Sequence, residues 1–372
     1  MNLKLLRVAA ALLGAVGLLS GRCTARADDD AKSGKLIDAL KLPFVTNGIT
    51  ITPQGRIFAA VPHFDGGSGP RVVEWRNGKG VPYPDETWNS KASAANAAAR
   101  LVDVNSLRMG PDGNLWLVDT GAPAFGRAIL KGGAKLVRID ASRNEVTRVY
   151  SLDSVTGAHS FVDDVRFHGD VAYLTDAGQP GLIVLDLKTG AGYRVLDGAR
   201  STTAVAPVWA EGHELRDASN KPVYVHADQL EISPDGRWLY FQPACGPFFR
   251  IETRWLEAKY TEKEREGHVE QFSATPSTGG TAIANDGMIY LSDTNTERIL
   301  YITTSGNSET LVQDPRLLWV DAMWIDADGF LWMPAAQLNR LAVFNNGVSK
   351  VQMPMHVFKL QIHKKPAAND HR

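Results

Sequence analysis

The sequence predicts an all-β fold, a six-bladed β-propeller with a central channel, on three observations: one hairpin template recurs six times, its turns carry strand-reversing residues, and most copies precede a second strand pair. The copies are "NGITITPQGRIFAAV" (47–61), "NSLRMGPDGNLWLVD" (105–119), "DDVRFHGDVAYLTD" (163–176), "DQLEISPDGRWLYFQ" (228–242), "GGTAIANDGMIYLSD" (279–293) and "DAMWIDADGFLWMP" (321–334). Each has a polar or Gly start, an alternating strand, a turn usually ending in Gly, a second apolar strand and a polar or Pro end. Pro-Asp-Gly at 111–113 and 234–236, Asn-Asp-Gly at 285–287 and Ala-Asp-Gly at 327–329 pair a turn-forming Asp with a Gly that accepts positive φ. Runs such as Leu115-Trp116-Leu117-Val118 and Trp238-Leu239-Tyr240-Phe241 supply the aliphatic, aromatic and β-branched residues that strands favour.

The second strand pairs are "KLVRIDASRNEVTRVYSL", "GLIVLDLKTGAGYRVL" and "RILYITTSGNSETLV", after the second, third and fifth copies, and "RLAVFNNGVSKV" after the sixth. Four strands repeating at intervals of roughly 42 to 66 residues match a propeller blade. An open β-sandwich gives no reason for six copies of one hairpin. Two insertions interrupt the repeat. "TWNSKASAANAAAR" (87–100) predicts a loop with helical character between blades one and two, and "WLEAKYTEKEREGHVEQF" (255–272) a solvated helix between blades four and five. "MHVFKLQI" (355–362) alternates like a strand and is expected to pair with the N-terminal region, closing the ring and removing its free edges.

Organisation follows from composition. Residues 1–27 have the pattern of a signal peptide: Lys4 and Arg7, an apolar run Val8 to Leu19 of about 12 residues where a spanning helix needs about 20, and Ala25-Arg26-Ala27 before a cleavage point. Residues 28–35 are a polar linker, 36–365 the propeller and 366–372 a C-terminal tail. A secreted or periplasmic protein is expected, with no membrane segment after cleavage. The chain is 44% apolar with a net charge of -1, enough for a large core and the wrong charge for a nucleic-acid partner. Once the leader is removed Cys245 is the sole cysteine, so the fold rests on its core rather than on an internal disulfide. Nothing in the repeat specifies an oligomeric state.

In a propeller the first strand of each blade lines the channel and the second runs back beside it, so first-strand starts and second-strand ends share a face. The template places Asn47, Asn105, Asp163, Asp228, Gly279 and Asp321 around one ring, and Asp119, Asp176 and Asp293 at the returning ends, as a channel rim. Carboxylates and amides around one axis invite a positive charge, and all-oxygen donors suit a divalent cation, Ca²⁺ ahead of Mg²⁺ or Mn²⁺, with Asn47, Asp228 and Asp321 as ligands. Singly, such residues also satisfy turn amides. His63, His159 and His226 fall on the same mouth as candidate proton carriers, whereas His168 sits at a hairpin turn on the opposite face. No phosphate loop, zinc spacing or Gly-x-Ser-x-Gly elbow occurs. Trp116, Trp238, Trp324 and Trp332 lie within strands and are expected in the blade core.

"FVTNGITITPQGRIFAAVPHFDGGSGP", "LVDVNSLRMGPDGNLWLVDTG", "LEISPDGRWLYFQPACGPFFRIET" and the closing "FKLQI" resemble the Yellow and major royal jelly protein family, including its bacterial members, over roughly residues 40 to 362. Family members often carry Arg where this chain has His63. The resemblance implies a secreted six-bladed propeller with a small-molecule pocket in the channel, among relatives that convert dopachrome or bind biogenic amines. A weaker similarity is to the gluconolactonase family, whose metal ligands open inner strands. Asp228 and Asp321 match that location, and Asn47 stands where that family places Glu. Three functions follow: a channel enzyme, either a tautomerase of a catechol-derived substrate or a metal-dependent lactone hydrolase, a non-catalytic binder of a small cationic or aromatic ligand, and an interaction scaffold.

Overall fold

Turn chemistry and alternation set the local structure. Between Val104–Met109 and Leu115–Asp119 the chain reverses at Asp112, whose Oδ1 accepts the Asn114 N–H at 3.0 Å, and at Gly113, where φ is 74°. Asp235 and Gly236 repeat the device, with φ at 73° for the glycine. An L side chain would be strained at either glycine.

The computed structural model describes residues 34–371, in which these hairpins build six four-stranded antiparallel sheets. Blade one is Gly48–Ile51, Ile57–Ala60, Val72–Arg76 and Lys79–Pro82, and blade two is Val104–Met109, Leu115–Asp119, Lys135–Asp140 and Glu145–Ser151. Blade three is Val162–His168, Val171–Asp176, Gly181–Asp186 and Gly192–Val195, and blade four is Ala227–Ile232, Trp238–Pro243, Phe248–Glu252 and Glu270–Ser273. Blade five is Thr281–Ile283, Ile289–Asp293, Arg298–Ile302 and Ser308–Gln313. Blade six takes Trp324–Ile325, Phe330–Pro334 and Met355–Gln361 from one end of the chain and Ile37–Leu42 from the other. The first strands touch one another in ring order, and the Ala322 N–H donates to the Asn47 carbonyl at 3.0 Å to join blade six to blade one. The expected all-β, six-bladed propeller is the fold. The expected leader and linker residues 28–33 lie outside the described residues.

The core lies between blades. Phe58, Leu107, Leu115, Trp324 and Met355 belong to one cluster, and Val118, Leu136, Val165 and Leu174 to the next. Each such side chain stabilises the fold by about 1.5–3 kcal/mol relative to exposure, which makes the packing of one blade's face on the next the main adhesive. Trp116, Trp324 and Trp332 are buried here as the strand pattern predicts.

Two segments differ from expectation. "RLAVFNNGVSKV" forms no strand pair. Leu338–Arg340 and Ala342–Phe344 are 3-10 turns, because side chains take the backbone groups a ladder would use. Asp65 accepts the Ala342 and Val343 N–H groups at 3.0 and 2.7 Å, and Asn345 Nδ2 donates to the carbonyls of Asn339 and Leu341, both at 2.8 Å. The third strand of blade six is instead Met355–Gln361, which also pairs with Ile37–Leu42 to close the ring. The charged insertion lies within blade four, not after it. Its helix is only Glu262–Gly267, started by a Thr261/Glu264 capping box, before the chain returns as the fourth strand. In 87–100 the only regular piece is the 3-10 turn Ala97–Ala99.

No helix among the described residues is long and apolar enough to cross a membrane.

Candidate functional site

One cavity of about 390 Å³ opens at the face where first strands start, a size suited to a small ligand. Its floor is the ring read from the repeat: Asn47, Asn105, Asp163, Asp228, Gly279 and Asp321 all line it. Strict alternation alone does not aim these side chains inward. In blades two, three and four the pairing shifts register between Val104 and Ser106, between Val162 and Val165 and between Ala227 and Leu230, so a bulge sits at each polar residue. Bulges re-aim side chains in this way. Glycine at the fifth position has a steric reason. A Cβ on Gly279 would stand 2.5 Å from the Val320 carbonyl oxygen, and one on Gly280 would stand 2.4 Å from that of Asp321. Blade six can therefore approach closely and present Asp321.

Four of the floor residues form one hydrogen-bonded chain. Asn47 Nδ2 donates to Asn105 Oδ1 at 2.9 Å, and Asn105 Nδ2 donates to Asp163 Oδ1 and to its carbonyl. Asp163 and Asp228 hydrogen-bond one another, and Asp228 Oδ2 accepts from Gln229 Nε2. Asp321 accepts the Trp319 indole N–H at 3.0 Å and its neighbour Ala322 N–H at 2.8 Å. Burial away from water, and then the charge of Asp228, push Asp163 and Asp321 well above the usual carboxylate range. Burial raises Asp228 to about 6, although hydrogen bonds from Asp163 and Gln229 oppose the shift. Asp163 and Asp228 thus titrate as a pair, with Asp163 keeping its proton longer. The buried Asn47 Oδ1 has no hydrogen-bond partner.

The walls are aromatic and come from loops: Phe64, Phe125 and Phe344 from connections between the second and third strands of blades one, two and six, and Phe161 from the connection between blades two and three. Phe64, Phe125 and Phe161 form a triangle with ring centroids 5.8 to 6.0 Å apart, and Phe344 meets Phe125 at 5.2 Å. Trp319 and Tyr224 line the cavity too, and the exposed Arg127 stands among the lining residues. The repeat pattern does not reveal these residues, since each lies outside the template. The "VPHF" and "GAPAFG" runs, apolar where loops are usually polar, are the one signal they leave.

The other site candidates fall elsewhere. Asp119, Asp176 and Asp293 do not line the cavity. Each turns back to secure a connection. Asp119 accepts from the Val102, Asp103 and Gly121 N–H groups at 2.8 to 3.0 Å and from Lys135 Nζ at 2.6 Å. Asp176 accepts from the Phe161 and Gln179 N–H groups and pairs with Arg194 at 2.8 Å, so it holds Phe161 on the wall from behind. Asp293 binds the Asn295 and Thr296 N–H groups and pairs with Arg298 at 2.9 Å. Of the histidines only His159 lines the cavity, near its mouth. His63 is buried against its own loop in blade one, its Nε2 3.2 Å from the Pro70 carbonyl, and burial and the Arg71 charge lower its pKa. His226 Nδ1 accepts the Ala204 N–H at 3.1 Å, and burial lowers its pKa against the opposing charge of Asp176. Among the described residues no group of three or more His, Cys, Asp or Glu is spaced to hold a metal ion.

Among curated proteins no sequence matches. Among solved structures the fold is similar to a luciferin-regenerating enzyme (11% identity, TM-score 0.57, covering 91% of this chain and 99% of that one). It is similar also to a putative gluconolactonase (12%, 0.55, 90% and 94%) and to a gluconolactonase from Xanthomonas campestris (13%, 0.52, 88% and 89%). At such identities the likeness speaks for the fold alone. The family described as Major royal jelly protein matches residues 104–367, which span the inner strands and loops that carry most of the floor and walls, and the chain belongs to that family.

Proposed function

We propose that the channel binds a small aromatic molecule bearing a cationic group, and that the Asp163–Asp228 pair can move a proton on an enolisable, catechol-derived member of that class. The observation that carries this reading is the juxtaposition of aromatic walls with a floor of three half-buried carboxyls. Aromatic rings attract a cation through their faces, and a carboxylate in a poorly hydrated pocket attracts it far more strongly than one in water. For tautomerisation, ionised Asp228 takes the proton from the substrate carbon while protonated Asp163 donates to the conjugated oxygen, so one proton is removed, one is returned and no redox partner is needed. The leader pattern supports export of the protein to a secreted or periplasmic location.

The reading has a pH signature. A carboxyl raised in the folded state contributes stability that is complete below its unfolded pKa and lost as pH rises through the folded value, so Asp228 destabilises the unliganded protein as pH rises through about 6. A cationic ligand reverses this, because it binds the ionised form. Affinity for 2-phenylethylamine is expected to rise about tenfold from pH 5 to pH 7, since one pH unit below a required pKa costs about a factor of ten. Calorimetric titration at both pH values checks this, and an affinity independent of pH contradicts it. Isomerisation of dopachrome, followed by absorbance, tests the catalytic half separately.

The orphaned Asn47 Oδ1 favours a second reading. Asn47, Asp228 and Asp321 present oxygens that fit a divalent cation, Ca²⁺ ahead of Mg²⁺ or Mn²⁺, which when bound would supply Lewis-acid chemistry of the lactonase type. On this reading Ca²⁺ raises the melting temperature of the native protein and not that of Asp321→Asn. Equal shifts in both, or none, exclude it.

A further inference from the structure

Beneath the pocket floor the channel does not run open to the other face. Inner-strand residues three positions beyond the floor stand about 10 Å further along, and at that depth lie Arg108, Arg166 and Glu231, all nearly inaccessible to solvent. Arg166 forms a two-pronged pair with Glu231, 2.8 Å at each prong, and a third contact to Asp164 at 2.6 Å. Arg108 has no such two-pronged partner on its own or neighbouring blades, and neither its Nε nor its Nη2 makes a hydrogen bond. Its charge is shared by Asp164 of blade three and by Asp370, which stands 3.0 Å from its Nε and 3.7 Å from Arg166.

We infer that the segment 366–371 is a plug that seals the channel at the face opposite the pocket, with Asp370 as the positioning residue that holds Arg108 and Arg166 beneath the floor. The segment reaches five of the six blades. Pro366 bridges to Ala284 of blade five, Asn369 Nδ2 donates to the Ser233 carbonyl in the first hairpin turn of blade four at 2.7 Å, and Asp370 meets blades two and three. His371 stacks on Trp324 of blade six with centroids 3.5 Å apart, and its Nε2 is 2.7 Å from the Ile325 carbonyl. Asp370 and His371 are 6% and 4% exposed, so this is a built contact and not a strand end lying on the surface. Burial works against ionised Asp370, but the Arg108 guanidinium, His371 and Arg166 outweigh it and hold the carboxyl well below the usual range. The plug makes the pocket blind-ended: a ligand enters and leaves by the aromatic mouth only, and water reaches the floor from one side only.

The test uses a thiol placed in the sealed stretch. Thr281, 3% exposed with its hydroxyl 2.8 Å from Glu231, is replaced in Thr281→Cys, and labelling by a small maleimide is followed by peptide mass spectrometry, with the half-exposed native Cys245 as the internal reference for reagent reactivity and the urea midpoint of each variant as the check on global opening. Removal of residues 366–372 is expected to speed labelling at 281 at least tenfold while Cys245 labelling stays the same, and a synthetic Lys365–Arg372 peptide added in trans slows it again. Full-length Asp370→Asn, which keeps the chain in place without its charge, gives an intermediate rate and serves alone if the shortened chain does not fold. Unchanged labelling at 281 in Asp370→Asn and in a folded shortened chain overturns the inference, as does acceleration matched at Cys245. No ligand enters the readout, so its failure leaves the ligand reading of the pocket untouched.

Discussion

Replacing Asp119 with alanine is expected to destabilise the protein by about 3–5 kcal/mol, the cost of leaving one member of a buried ion pair without its partner. Asp119 and Lys135 are both fully buried, 2.6 Å apart, and Lys135 Nζ would retain only the Gly133 carbonyl at 2.8 Å. The same carboxylate accepts three backbone N–H groups that bring residues 102–103 and 121 to the end of blade two, and these would also lose their acceptor. Urea unfolding reads the change as a lower midpoint with an unchanged slope. Ligand affinity of the fraction that remains folded should not change, because Asp119 does not line the cavity. A variant as stable as the parent would show that the ion pair is not what secures this corner.

Asp228→Asn is expected to do the opposite. The substitution removes a carboxylate whose ionised form the fold disfavours, so the melting temperature at pH 7 should hold or rise. Binding of an aromatic amine should weaken by about 2 kcal/mol or more, roughly thirtyfold, as expected when one partner of a desolvated charge pair is lost. Stability gained at the expense of binding is the usual mark of a functional residue. Two aspartates from one hairpin template therefore carry effects of opposite sign, which thermal denaturation and calorimetry on the two variants resolve. A Kd unchanged in Asp228→Asn contradicts the role assigned to the floor.

Much of this was legible in the chain. The repeat put Asn47, Asn105, Asp163, Asp228 and Asp321 in one register, and register is a property of spacing that survives without knowledge of packing. Ring closure through Met355–Gln361 and Ile37–Leu42 was legible for the same reason, since an alternating strand with no partner nearby must find one. The second-strand aspartates were in register too, yet register fixes the end of a blade and not the direction of a side chain. Asp119, Asp176 and Asp293 turn to backbone amides and a following cation, a local choice that spacing does not encode. Bulges at Asn105, Asp163 and Asp228 are equally silent in the pattern. The aromatic walls escaped because Phe64, Phe125, Phe161 and Phe344 belong to connections of different length with no repeat to compare. His63 and His226 lie close to the mouth in sequence, but packing turns the His63 ring to the Pro70 carbonyl and the His226 ring to the Ala204 N–H, each within its own connection.

The most direct measurement is a paired calorimetric titration at pH 7 of the native protein with 2-phenylethylamine and with its neutral counterpart 2-phenylethanol, repeated on Asp228→Asn. An aromatic-walled pocket over an ionised floor predicts saturable one-to-one binding of the amine, at least tenfold tighter than the alcohol, with that preference lost in the variant. Equal binding of amine and alcohol to the native protein, or a preference that survives in Asp228→Asn, would contradict a cation site on the channel floor.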